Sequence, residues 1–372
     1  MKNNNIKIGI LTFHRALNYG AFLQALALKV CLSELGHNVK IIDYWPDYHV
    51  KAYSVFRWTE IRKVPFLTKI KMIIASLLKY RRAKTRSKKM ELLQKKYLDI
   101  TDNITYPSSK DLVNLSLDCI FYGSDQIWWK SKINNNEFDW TFWGDYISSD
   151  TKKIAYAASM GIVDLTKKDE QIIKTKLDNF SSISVREDNL QSILQKISSK
   201  EIYVVSDPTF LLSAEKWNTF IPNMLFPQKY ILLFNLTRST SALEIAKKKS
   251  KEYNMPIIEI SSTILPMNYQ KNCLQTLDAF EFLGYIKNAD FVVTSSFHGT
   301  AFSIIFEKQF LATGMKNNAE RAMTLLNELN LLNRYILDEK NIPEEKIDYA
   351  KIKQVKQKIV DKSVSFIKNS LS

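Results

Sequence analysis

The stretch TSSFHGTAFS, residues 294–303, sets an imidazole, a glycine and several hydroxyls between two apolar runs. DFVVTSS before it reads as a buried strand and HGTAFSIIFEK after it as a helix, so His298 falls at a strand-to-helix turn. The start of a helix offers unpaired backbone N–H groups and a partial positive charge. Gly299 would let a ligand approach the backbone, and Ser295, Ser296 and Thr300 would add hydroxyl donors, which together describe an anion site. The competing reading is a core histidine bonded to a carbonyl.

Other polar groups interrupt the chain in the same way. His14–Ala21, Gly123–Gln126, Ser159–Gly161, Arg186–Asp188, Asp207–Thr209 and Ser295–Thr300 each follow a run that reads as a strand. In open parallel sheets ligands bind in the crevice beyond the carboxyl ends of the strands, so a shared position there predicts one substrate cleft. Asp125, in GSDQIW with Ser124 and Gln126, is a candidate base or simply good turn chemistry. Asn18, Tyr19 and Gly20 open the first helix and would either bond substrate or form its cap. Trp128 and Trp129 would stack on a ligand ring or fill the domain interface, and His37 and His49 read as surface residues.

These positions need a scaffold. IKIGILTF, then a loop, then FLQALALKVCLSELG with helical periodicity, then HNVKIIDYWP make the opening of a βαβ unit. LDCIFYGSDQ, KKIAYAASMG, SSISVREDNLQSIL and EIYVVSDPTFLL continue the alternation, with a break near Pro222. KYILLFNLT starts a second set that runs through MPIIEIS, TLDAFEFLGYIKNA, DFVVTSS, QFLAT and NAERAMTLLNELNLL, and a polar amphipathic helix ends the chain. The expectation is an α/β protein with two Rossmann-like domains around a cleft. Its N-terminal domain covers 1–222, with a basic helical insertion at 57–97. The C-terminal domain covers 223–344, and a last helix covers 345–372.

The chain of 372 residues suits two domains, and 45% hydrophobic with 24% charged residues is ordinary globular composition. The net charge of +15 is local: residues 57–97 hold fourteen Lys and Arg against Glu60 and Glu91, a net of +12. The remainder is nearly balanced, which argues against nucleic acid as partner. The segment also carries Trp58, Phe66, Ile70, Ile73, Ile74, Leu77 and Leu78 at roughly helical spacing, the pattern of a basic amphipathic surface for anionic lipid or polyphosphate. The alternative is a solvated helix packed on the first domain. No signal segment, membrane span or metal-ligand spacing is visible, and Cys31, Cys119 and Cys273 read as free buried thiols, so a cytoplasmic protein is expected, peripheral on the inner face of the membrane.

The sequence resembles the polysaccharide pyruvyl transferase family along nearly its whole length: in GILTFHRALNYGAFLQA, DCIFYGSDQIWW, IAYAAS, SVREDNL, DPTFLL and ADFVVTSSFHGTAFSIIF. The resemblance implies a glycosyltransferase-B-like architecture, in which the last helix, 345–372, would pack back on the first domain. It also implies transfer of the pyruvyl group of phosphoenolpyruvate, as donor co-substrate, to two hydroxyls of a sugar as a cyclic ketal, with phosphate released; the sequence itself gives no sign of a required metal or further cofactor. The acceptor would be a bacterial surface polysaccharide or its lipid-linked precursor. Phosphoenolpyruvate carries a phosphate and a carboxylate, both matched by the planar donors of arginine. Arg186 fits the family's arginine after SSISV, and Arg321 is a second candidate. His298 would be the general acid or a phosphate ligand, and Asp125 the base. The alternative is a nucleotide-sugar glycosyltransferase of the same architecture; against it, the second domain shows no distinct acidic ribose-binding signature, although Glu259, at the end of MPIIE, stands roughly where such a residue would. A non-catalytic scaffold would need neither His298 nor Arg186.

Overall fold

The computed structural model describes residues 5–102, 104, 115–130, 134–148, 150–161, 163–226, 228–261, 263–266, 273–315, 319–337 and 341–372. Its first half contains β1 (Lys7–Leu11), α1 (Tyr19–Glu34), β2 (Asn38–Ile41), α2 (Asp47–Tyr53), α3 (Trp58–Ile61), α4 (Phe66–Tyr97), β3 (Cys119–Asp125), β4 (Lys152–Ala158), α5 (Lys167–Leu177), β5 (Ser182–Val185), α6 (Asp188–Gln195), β6 (Ile202–Val204) and α7 (Ala214–Asn218). The second half contains β7 (Ile231–Phe234), α8 (Thr240–Tyr253), β8 (Ile257–Ile260), β9 (Cys273–Leu274), α9 (Ala279–Asn288), β10 (Phe291–Thr294), α10 (Phe297–Ile305), β11 (Phe310–Thr313), α11 (Ala319–Glu328), β12 (Tyr335–Ile336) and α12 (Tyr349–Leu371).

Two six-stranded sheets result, ordered β2-β1-β3-β4-β5-β6 and β12-β11-β10-β7-β8-β9. The pairings within both are parallel. The central strands are buried along their length, IGIL of β1, FVVT of β10 and ILLF of β7 among them, because helices cover both faces of such sheets. Each sheet reverses its winding once: β1 and β3 are neighbours in the first, β7 and β10 in the second. A crevice opens at such a reversal, where the following loops leave in opposite directions.

The two lobes share a core. α1 is apolar around nearly its whole circumference and is buried accordingly, since it packs between the lobes rather than on a surface. Tyr19 stacks on Phe282 at 4.7 Å between ring centres, and Phe22 meets Phe280 edge-on at 5.7 Å. α12 returns to the first lobe: Phe366 packs against Tyr156 and Tyr203, and the Ser363 hydroxyl accepts from the Ser206 amide at 3.0 Å. This is the glycosyltransferase-B-like arrangement. The chain crosses from one sheet to the other between Val204 and Ile231, and we propose the lobe boundary there, near Pro222.

The sequence pattern does not reveal α2, α5, α7, β9 or β12, and it places the start of the last helix too early; that helix begins at Tyr349, capped by Asp348, whose carboxylate accepts from the Ala350 amide at 3.1 Å. β9 and β12 have two residues each, too few to show a period.

Candidate functional site

The loops after β1, β3, β7 and β10 line a single cleft of about 240 Å³ between the lobes. The first lobe supplies Phe13, Asn18, Asp125, Gln126 and Trp129; the second supplies Thr237, Ser295, Ser296, His298 and Arg321. The cleft therefore spans the winding reversals of both sheets.

His298 occupies the second position of α10. Ser296 caps that helix, its hydroxyl accepting from the Gly299 amide at 3.5 Å. The imidazole is buried, and its Nε2 has no hydrogen-bond partner among the described residues. Burial lowers its pKa below the ordinary value, against the opposing pull of Asp207 and Asp125, so the ring is neutral at pH 7. Gly20 allows this placement from the other lobe: a Cβ there would lie 2.0 Å from His298 Nδ1.

Arg186, just past β5, is buried beneath the cleft. Its Nη1 donates to Asp207 Oδ2, and its guanidinium lies 4.8 Å from the centre of the Phe297 ring. Its Nε and Nη2 have no hydrogen-bond partner among the described residues. Burial opposes its charge, but Asp207, Glu187 and Asp125 outweigh burial and raise its pKa. Arg321, on α11, reaches the same Phe297 ring at 5.7 Å and stands 3.6 Å from Asp125 Oδ1. Burial and the neighbouring Arg186 lower its pKa to about 10, which still leaves it charged at neutral pH. Asp125 faces both cations, since Arg186 Nη2 lies 3.8 Å from the same oxygen. It is held at φ +71°, a left-handed backbone that costs energy for a residue with a side chain, and its carboxylate accepts from the Gln126 amide at 2.9 Å.

Asp207 is the anchor below. Its Oδ1 accepts from the Thr209 amide at 3.0 Å and the Thr209 hydroxyl at 2.8 Å, and its Oδ2 also accepts from Ser124 Oγ at 3.2 Å. Burial would raise its pKa, but Arg186 first, then His298 and Thr209, hold the carboxyl below its usual range. Beside it Glu187 accepts from the Ser159 hydroxyl, and burial raises its pKa despite the two arginines.

Of the residues singled out in the sequence, Asn18, Asp125, Gln126, Ser296, His298 and Arg321 line the cleft. Arg186, Ser124 and Gly20 support it from beneath. Three face elsewhere. Tyr19 belongs to the lobe interface, stacked on Phe282 with the Arg86 guanidinium 4.8 Å from its ring centre. Gly299 is required by packing rather than by a ligand, because a Cβ there would lie 2.2 Å from Thr294 Oγ1. The Thr300 hydroxyl donates to the Ser296 carbonyl at 3.2 Å inside the helix. Trp128 fills the first lobe, stacked on Trp143 at 4.4 Å, while Trp129 lines the cleft. Glu259 lies on β8 between Leu233 and Cys273, outside the cleft lining.

His49 corrects the surface reading. It is buried, lines the cleft, and packs against Phe13, Trp45, Tyr48 and Tyr53. Burial, then His14, lower its pKa to about 4. His37 is half-buried. His14 is buried, with Nε2 2.8 Å from Asp43 Oδ1, and Gln94 on α4 donates to its carbonyl at 3.0 Å, so it braces the loop after β1. Phe297 is not marked by the sequence, Asp207 is marked only as part of the Asp207–Thr209 insertion and without a role, and His49 reads there as a surface residue. Asp207 precedes a proline and reads as a strand stop, and Phe297 and His49 sit among other aromatics.

The family model for polysaccharide pyruvyl transferases matches residues 18–317, the span that holds every cleft residue named above except Phe13 and Arg321. The chain belongs to this family of transferases. No curated protein matches it. Among solved structures it is similar to the UDP-GlcNAc 2-epimerase from Neisseria meningitidis bound to UDP-GlcNAc, at 9% identity and TM-score 0.48 over 98% of this chain and 99% of that one. The UDP-GlcNAc 2-epimerase from Methanocaldococcus jannaschii is similar at 11% identity and TM-score 0.45, over 94% and 91%. A mutant O-GlcNAc transferase from Thermobaculum terrenum is similar at 7% and 0.45, over 100% and 68%.

Proposed function

We propose that this transferase takes its pyruvyl group from phosphoenolpyruvate and sets it as a cyclic ketal on two hydroxyls of a surface-polysaccharide sugar or its lipid-linked precursor. The observation that carries this reading is the cationic floor of the cleft. Arg186 and Arg321 are charged, buried and adjacent, and each keeps at least one N–H without a partner among the described residues. Burying two like charges side by side is costly, and an anion with two acidic groups compensates it. Arg321 lines the cleft and meets such a donor directly. Arg186, locked to Asp207, sets the potential beneath it.

The donor's acidic groups displace Asp125 from Arg321 and leave its carboxylate free to act as base. His298 gains a proton as the anion arrives, because a nearby negative charge raises an imidazole's pKa. It then protonates C3 of the enol, which becomes the methyl group, while C2 becomes electrophilic. One sugar hydroxyl adds to C2 as Asp125 takes its proton. The C2–O bond to phosphate breaks, the second hydroxyl closes the ring, and its proton leaves with the phosphate. Two C–O bonds form, one C–O bond and one C=C π bond are lost, and no oxidant is needed. A lipid-linked acceptor would bring the chain to the inner face of a membrane, where the basic segment 57–97 would meet anionic lipid.

The test is turnover. Phosphate release from phosphoenolpyruvate should depend on added sugar acceptor, with a new ketal methyl signal in the product's NMR spectrum. Sugar transfer from a nucleotide sugar, with no phosphate released from phosphoenolpyruvate, would reject the donor and favour the glycosyltransferase alternative.

A further inference from the structure

The basic helix has two faces with different surroundings. Ser76, Ala83, Arg86, Met90 and Gln94 form the buried side of α4. Arg86 donates to the Leu17 carbonyl, Arg82 donates to the Leu265 and Pro266 carbonyls at 2.7 and 2.8 Å, and Lys89 pairs with Glu281 at 2.7 Å. The second half of α4 is therefore fastened to both lobes. The first half carries Phe66, Leu67, Ile70, Ile74, Leu77 and Leu78, all exposed, Phe66 and Leu67 at 73% and 72%. Spacings of three and four place these six on one stripe, opposite the buried side. Trp58 of α3, also exposed, stands at the start of this region. No acidic residue occurs between Glu60 and Glu91, and Lys71 and Arg81 are exposed on the same helix.

We infer that the exposed stripe of α4 docks on an anionic phospholipid bilayer, with its apolar side chains among the acyl chains and its lysines and arginines at the headgroups. Two observations select this occupant. A soluble polyanion would use the charge but leave a wide apolar stripe in water. A second copy of the chain would bury the stripe but bring one strongly cationic segment against another, with no acidic residue between Glu60 and Glu91 in either to pair with it. A bilayer with anionic headgroups satisfies both. Among the described residues no helix is long and apolar enough to cross a membrane, so the contact is a surface one. Because α4 is tied to both lobes, docking would also fix how the cleft meets the membrane. This deepens the reading of a lipid-linked acceptor, but the surface itself does not depend on which donor is used.

The test is co-sedimentation of the full chain with vesicles of neutral lipid and of neutral lipid mixed with phosphatidylglycerol, with no donor or acceptor present. Binding should require the anionic lipid and weaken as salt rises. The double variant Leu67→Asp, Ile74→Asp should bind at least tenfold more weakly while its phosphoenolpyruvate binding is unchanged, which shows that it is folded. Wild-type binding that ignores lipid charge would overturn the inference, and so would a double variant that binds as well as wild type. Sedimentation velocity gives the other occupant its chance: a wild-type dimer that the double variant converts to monomer, with no vesicle binding, would assign the stripe to a second copy. Failure of vesicle binding leaves the donor chemistry standing, and failure of phosphoenolpyruvate turnover leaves the docking standing.

Discussion

At the scale of single residues, the site depends on contacts between groups remote in sequence. Gly20 and His298 come from different lobes, and a methyl group at position 20 would overlap the imidazole. Gly20→Ala should therefore fold but lose activity by about a hundredfold, since displacement of a reacting group by about 1 Å costs that much; steady-state kinetics beside a thermal melt would show it. Arg186 behaves differently. Its removal leaves Asp207 buried without its main counter-charge, so Arg186→Met should lower stability by about 3–5 kcal/mol in a denaturant titration. His49 makes a pH prediction. Its folded pKa, about 4, lies below the ordinary histidine value of 6.5, so the unfolded chain binds the extra proton first as pH falls. Its contribution is fully present above pH 6.5 and is lost on the way down to pH 4, on the order of 3 kcal/mol. Replacement by phenylalanine should flatten the acid limb of stability between those values, and an unchanged limb would contradict the assignment. The cleft positions of His298 and Asp125 are legible in the sequence because each follows an apolar run that reads as a strand, whereas Arg321 is reached only through the cations that phosphoenolpyruvate would need. His49 is not legible, because its burial is produced by Phe13 and its aromatic neighbours, and that contact is tertiary.

At the scale of elements, the alternation of apolar runs with helical periods was enough to reveal two parallel sheets, and the loops at their carboxyl ends follow from that. Strand order was not readable, since nothing local says that β1 neighbours β3 while β10 neighbours β7; the cleft sits where it does because of that order. The first helix shows the same limit. Its lack of a polar face was visible in FLQALALKV, but the reason, packing between two lobes, required Phe280 and Phe282 from far along the chain. Helix α12 was expected to return to the first lobe, and its apolar residues do reach Tyr156 and Tyr203. Phe366→Ala should then cost about 3–5 kcal/mol, read from the same denaturant titration, as for an aromatic side chain removed from a core.

At the scale of the whole molecule, the charge of +15 and the cleft belong to one design. The cationic segment is not spread over the surface but carried by a helix whose far half bridges the lobes. The cleft lies between those lobes, and its cations are buried, so they act at short range on a small anion rather than on a polymer backbone. The central claim is that this anion is phosphoenolpyruvate, and calorimetric titration of phosphoenolpyruvate into wild type and Arg321→Gln tests it most directly. The account predicts binding by wild type that weakens at least tenfold, about 1.4 kcal/mol, in the variant. Heat from a nucleotide sugar with none from phosphoenolpyruvate, or equal binding of phosphoenolpyruvate by both proteins, would contradict it.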